Sequence, residues 1–149
     1  MATDGSPLRV LVVEDDQLVR TFIRFALERD AMSVAEAEDG AGALSQLQSG
    51  GFDAVLADGL LPDMHGIGLA AAILDDPALA ELPICFLSGA VQGRIPAAAG
   101  VGCLSKPVRP AHLTEQLRSL VAWREQGGSP VEERRAALRR LEAGFLVGP

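Results

Sequence analysis

Short unbroken apolar runs recur along the chain, and most of them end in polar groups. Residues 8–13 are apolar apart from Arg9, and 54–57, 84–87 and 102–104 are continuous runs. Such runs predict strands buried on both faces of a parallel sheet. Residues 33–37 predict a further strand, the second in chain order. Between them the period changes to that of helices. After Asp16, which is placed to cap a helix, Leu18, Phe22, Phe25 and Ala26 share one face, with Arg20, Arg24 and Glu28 elsewhere. The turn Asp39-Gly40 precedes a short helix over 41–48, with Leu44 and Leu47 inward. An alanine-rich helix is predicted over about 67–74. From Pro110, the spacing of Leu113, Leu117, Leu120 and Val121 predicts a helix to about Gln126. Residues 90–99 carry Gly93 and Pro96 and are followed by Gly100, which leaves room for one or two helical turns at most.

Strand and helix thus alternate five times with short links. That is the pattern of an α/β, doubly wound, five-stranded parallel sheet, with right-handed crossovers placing helices on both faces. Residues 1–7 read as a flexible lead-in, 8–126 as one domain, and 127–149 as a linker and a helical tail. The linker, Gly127 to Pro130, leads to a helix over 131–143. Val131, Leu138, Leu141 and Phe145 lie near one face of that tail, among Arg134, Arg135, Arg139 and Arg140. A stripe so narrow does not hold an isolated helix of this length in water. It must dock on the protein's own body or meet a second chain. The thin stretch at 90–99 favours the second reading, a homodimer or partner contact through the C-terminal helix.

Composition narrows the classes. No apolar stretch is long enough to span a membrane, and the polar N-terminus lacks the form of a signal peptide. Cys85 and Cys103 lie inside apolar runs without metal-ligand spacing, as expected of reduced thiols in a cytoplasmic protein. A net charge of −7 argues against nucleic-acid binding. Of the 13 basic side chains only one, Lys106, is a lysine. A site that needs a compact ammonium would reject a guanidinium fork there.

The polar ends of the runs carry the chemistry: Glu14 and Asp15, Asp58, Ser88, and Lys106. In an open α/β sheet, ligands bind outside the carboxyl ends of the strands. Three carboxylates gathered there repel one another unless a cation joins them, and Mg²⁺ suits an all-oxygen site. A carboxylate nucleophile, a metal, an ammonium and a hydroxyl together form apparatus for phosphoryl transfer to Asp58.

The residues VEDD at 13–16, DGLLPDMHG at 58–66, LSG at 87–89 and SKP at 105–107 resemble the receiver domains of two-component response regulators. The spacings agree: Asp15 and Asp58 are 43 residues apart, and Asp58 and Ser88 are 30 apart. The resemblance covers about residues 8–126 and implies a flavodoxin-like fold with strand order 2-1-3-4-5. It implies Asp58 as phospho-acceptor, Ser88 as the switch hydroxyl and Lys106 as the phosphate-binding lysine, ahead of a cis peptide to Pro107. Asp15 would bind Mg²⁺ directly, Glu14 would act on it through water, and the Leu60 main-chain carbonyl would be the third protein ligand. The implied partners are a sensor histidine kinase or a histidine phosphotransfer protein, and a downstream protein target. The chain is then a phospho-acceptor that signals through protein contacts, not an enzyme acting on outside substrates. The alternative is an interaction module that keeps the fold and ignores phosphate. Cys103 stands where the family usually has an aromatic.

Overall fold

The computed structural model describes residues 6–89 and 95–143. Its elements in chain order are β1 (Arg9–Val13), α1 (Gln17–Arg29), β2 (Ser33–Ala37), α2 (Gly40–Leu47), β3 (Ala54–Asp58), α3 (Gly66–Asp75), β4 (Ile84–Ser88), β5 (Ile95–Ala98), β6 (Val101–Ser105), α4 (Pro110–Glu125) and α5 (Val131–Leu141). One sheet has the order β2-β1-β3-β4-β6-β5. Its first five strands are mutually parallel, as the alternating pattern predicts, and β5 is antiparallel to β6.

Side chains alternate across each strand, so the runs split into two cores. Leu11, Val13, Val55, Ala57, Ile84, Phe86, Val101 and Cys103 face one side, with α2, α3 and α5. Val10, Val12, Ala54, Leu56, Cys85 and Leu87 face the other, with α1 and α4. Leu113, Leu117, Leu120 and Val121 of α4 are buried there, as their spacing predicts.

Three expectations need correction. The first concerns α1. The sequence pattern points Leu18, Phe22 and Phe25 inward, but they are 82%, 47% and 61% exposed. The buried set is Arg20, Ile23, Ala26 and Leu27. The helix is rotated because Ile23 and Leu27 fill the core while Arg20 turns in to bond the end of β1. Its Nη1 donates to the Glu14 carbonyl at 2.7 Å and its Nε to Glu36 Oε1 at 2.8 Å.

The second concerns the stretch at 90–99, whose first part, 90–94, lies outside the described residues. Where a turn of helix is expected, 95–98 is a sixth strand, folded back on β6. Ala99 (φ 51°) and Gly100 (φ 71°) form the two-residue turn between Ala98 and Val101, in the left-handed conformation that tight hairpins require. Gly100 is doubly constrained, because a Cβ there would lie 2.3 Å from Trp123 Cζ3. The register shifts between Ile95 and Ala98. Pro96, which has no N–H to give the ladder, lies in that interval on the sheet edge.

The third concerns the tail. Ala137, Leu138 and Leu141 are buried in the same core as Ile84, Phe86, Val101 and Cys103, and Val131 packs against them. The stripe expected to seek a second chain is covered by the protein's own body; Phe145 lies outside the described residues. A right-handed crossover from β4 to β6 would lie on the α3 face of the sheet. Among the described residues that connection supplies β5 instead, and α5 lies beside α3 and over β6. Arg135 adds an ion pair to Asp75 of α3 at 2.7 Å.

Candidate functional site

The parallel ladder aligns the carboxyl ends of four strands. Val13 is level with Ala57, Asp58 with Leu87, and Ser88 with Ser105. The polar groups that end these runs therefore emerge at one rim. Glu14 is 2% exposed and Ser88 is also buried, whereas Asp15 is exposed and Asp58 half-buried. Carboxylate oxygens of Glu14, Asp15 and Asp58 lie within 4.8 Å of one another. The Lys106 ammonium enters between two of them, donating to Asp58 Oδ2 at 2.9 Å and to Glu14 Oε1 at 3.2 Å. The main-chain N–H of Lys106 donates to the Ser88 carbonyl at 3.0 Å, and the Lys106-Pro107 peptide is cis.

These contacts set the charges. Burial raises the Glu14 carboxyl above its ordinary pKa; the Asp16 N–H opposes this, the Asp58 charge adds to it, and Lys106 again opposes it. Burial works against the Lys106 ammonium. The hydrogen bond and charge of Asp58, then those of Glu14, outweigh it and raise that pKa. An acid cluster with one ammonium remains short of positive charge. Its donors are hard carboxylate oxygens, which fit Mg²⁺.

The loop between β3 and α3 is folded as tightly as the rim. The N–H of Gly66 donates to the Gly59 carbonyl at 2.8 Å, that of Leu61 to the Met64 carbonyl at 3.0 Å, and Leu60 and His65 form a bridge. Gly66 has to be glycine, since a Cβ would lie 2.5 Å from the Asp58 carbonyl oxygen. Asp58 Oδ1 accepts the Leu60 N–H at 3.2 Å, which holds the Leu60 main chain beside the acids. Asp16 caps α1, accepting from the N–H groups of Leu18 and Val19, and takes no place among the clustered acids.

Two residues that the sequence pattern does not single out also shape the rim. Asp63 accepts the N–H groups of Gly40 and Ala41, each at 2.9 Å, which pins the loop to the start of α2 and holds its carboxyl below the usual range. The signal was present in α2, whose first turn has no acidic residue of its own. Arg20 is the other; grouped with Arg24 and Glu28 away from the apolar stripe, it bore no distinguishing mark.

Comparison with known proteins bears on this geometry. The response regulator receiver domain profile matches residues 10–118. The chain belongs to the receiver domain family. It is 36% identical over 106 residues to the chemotaxis protein CheY of Pseudomonas aeruginosa, covering 69% of this chain and 85% of that one. It is 30% identical over 122 residues to the probable transcriptional regulatory protein TcrX of Mycobacterium tuberculosis, and spans about half (51%) of its length. Among solved structures, the receiver domain of the hybrid histidine kinase CckA is 29% identical, with a TM-score of 0.65 over 76% of this chain and 98% of that one. The chemotaxis response regulator CheY4 of Vibrio cholerae is 26% identical, with a TM-score of 0.68 over 76% of this chain and 98% of that one. Receiver domains are signalling domains, and this chain is one of them. No described helix is long and apolar enough to cross a membrane. The profile ends at residue 118, so α5 lies outside the matched part.

Proposed function

We propose that Asp58 accepts a phosphoryl group from the phosphohistidine of a sensor histidine kinase or a histidine phosphotransfer protein, and that the phosphorylated chain signals to a downstream protein. The observation that carries this reading is the Lys106 ammonium, 2.9 Å from Asp58, set against acids whose oxygens converge within 4.8 Å. A carboxylate oxygen of Asp58 attacks phosphorus as the P–N bond breaks. The electron pair leaves with the imidazole, and an acyl phosphate remains. Glu14, Asp15, Asp58 and the Leu60 carbonyl would hold Mg²⁺, with Glu14 acting through water; when bound, the ion supplies positive charge against the phosphoryl oxygens. Lys106 holds a second positive charge at Asp58, and the Ser88 hydroxyl donates to a phosphoryl oxygen. The buried walls of the rim keep those charges strong by limiting water.

The test uses the full chain, Mg²⁺ and a small donor such as acetyl phosphate. Intact mass should rise by one phosphoryl group, and Asp58→Asn should abolish the rise. Equal phosphorylation of the variant would refute the assignment. If the native chain takes up no phosphate from any donor, the phosphorylation-independent module is the better reading.

A protein donor must also find the rim. Leu18, Val19 and Phe22 of α1 line an apolar groove with Leu87, Lys106, Pro107 and Val108, and that Lys106 is the one whose ammonium bonds Asp58. An exposed stripe of this kind marks a contact surface. Phe22→Asp should therefore lower phosphotransfer from the protein donor about tenfold or more, while acetyl phosphate still labels Asp58 at the native rate. Equal transfer from both donors would show that the donor docks elsewhere.

A further inference from the structure

Arg20 is an arginine 8% exposed inside α1, and its contacts lead to the rim. The β1 ladder ends at Val13, and Glu14 continues it only through its N–H, which donates to the Ala37 carbonyl at 3.0 Å. The chain then turns into the cap at Asp16. The Glu14 carbonyl is thus a buried acceptor at the end of a strand, and such a group needs a donor. Arg20 Nη1 supplies it at 2.7 Å. The guanidinium is itself held by Glu36 of β2, whose Oε1 accepts from Nε at 2.8 Å and whose Oε2 pairs with Arg24 at 3.2 Å. On its other side, the Glu14 carboxylate accepts the Asp16 N–H at 3.1 Å and Lys106 at 3.2 Å. The peptide joining Glu14 to Asp15 is therefore fixed from α1 and β2 together. Its plane decides where both carboxylates leave the backbone.

We infer that Arg20, anchored by Glu36, is a positioning residue for the divalent-cation site. It touches neither the ion nor Asp58, and it acts by holding the Glu14–Asp15 peptide so that both acids point at the rim. The inference rests on the reading of that rim as a Mg²⁺ site. A planar fork is required, because one guanidinium reaches a carbonyl just past the end of β1 and a carboxylate on β2 at once, which an ammonium does not. The plainer role for the same side chain is a staple between α1 and β2, which would contribute to stability and leave ion binding alone.

Calorimetric titration of the full chain with Mg²⁺, beside a thermal melt of each variant, separates these roles. Arg20→Met should weaken Mg²⁺ binding about 10–100-fold, the usual effect of losing a group that orients a ligand from behind. Arg20→Lys should fail to restore it. Glu36→Ala, which keeps the arginine and releases it, should weaken binding in the same direction, and it decides the matter if Arg20→Met does not fold. Variants that melt lower but bind Mg²⁺ within about twofold of the native chain would reduce Arg20 to a staple. A native chain that gives no Mg²⁺ heat would overturn the reading of the rim itself, and the role of Arg20 with it.

Discussion

Arg134→Ala should destabilise the protein by about 3–5 kcal/mol, as expected when several buried carbonyls lose their donor at once. Arg134 is 0% exposed. Its Nε donates to the Ala99 carbonyl at 2.9 Å, Nη1 to Ala80 at 2.5 Å, and Nη2 to Leu82 at 2.7 Å and Gly100 at 3.2 Å. The guanidinium also lies over the Trp123 ring, 4.7 Å from its centroid. Burial lowers its pKa to about 10, so it still carries its charge at neutral pH. One side chain thus satisfies carbonyls from two separate places, the entry to β4 and the hairpin turn before β6. The Gly100 carbonyl also accepts the Ile84 N–H at 2.9 Å and would stay paired, but alanine would leave those of Ala80, Leu82 and Ala99 without the guanidinium, and an acceptor left buried and unpaired costs free energy. Arg134→Lys should recover only part of the loss, because an ammonium lacks the spread of donors. Urea denaturation followed by the emission of Trp123, the protein's single tryptophan, measures both variants. A midpoint within experimental error of the native one for Arg134→Ala would show that water replaces the guanidinium without cost.

The parallel strands were legible because a strand buried on both faces leaves a continuous apolar run, and each run stopped where its strand stops. The rim was legible for the same reason, since a polar residue directly after such a run has to lie at a carboxyl end. Glu14, Asp15, Asp58 and Lys106 are brought together by the sheet, with Ser88 at the end of the adjoining strand. The rotation of α1 was not legible. Leu18, Phe22 and Phe25 make a stronger apolar stripe than Ile23 and Leu27, and Arg20 turns inward to the Glu14 carbonyl and to Glu36, partners that no local pattern reveals. Nothing local marks 95–98 as a strand either. The segment is four residues long with a proline inside, and its partner exists only once Ala99 and Gly100 have reversed the chain. The docking of α5 depends on which face the β4–β6 connection leaves to be covered, a fact of topology that no window of sequence contains.

Truncation after Gln126 is the sharper test of that last point, and its expected result is loss of the cooperative fold. The sequence pattern alone places 127–149 outside a domain ending at 126, as a linker and a helical tail reaching for a second chain. We propose instead that the folding unit includes α5. Removing it takes away Leu138 and Leu141, both buried, and opens the side of the core formed by Leu82, Val101 and Cys103. Burial of two leucines is worth about 3–6 kcal/mol, which is comparable to the whole stability of a domain near the low end of the usual 5–15 kcal/mol. The truncated chain also lacks the Arg134 bonds that tie the hairpin turn to the entry of β4. β4 ends at Ser88 and β6 leads into Lys106, so loosening those strands should reach the rim, and labelling of Asp58 by acetyl phosphate should fall with the fold. Circular dichroism melts and intact-mass labelling of the truncated chain check both parts. A truncated protein with an unchanged melting temperature and full labelling would place α5 outside the folding unit, and its buried stripe would need another explanation.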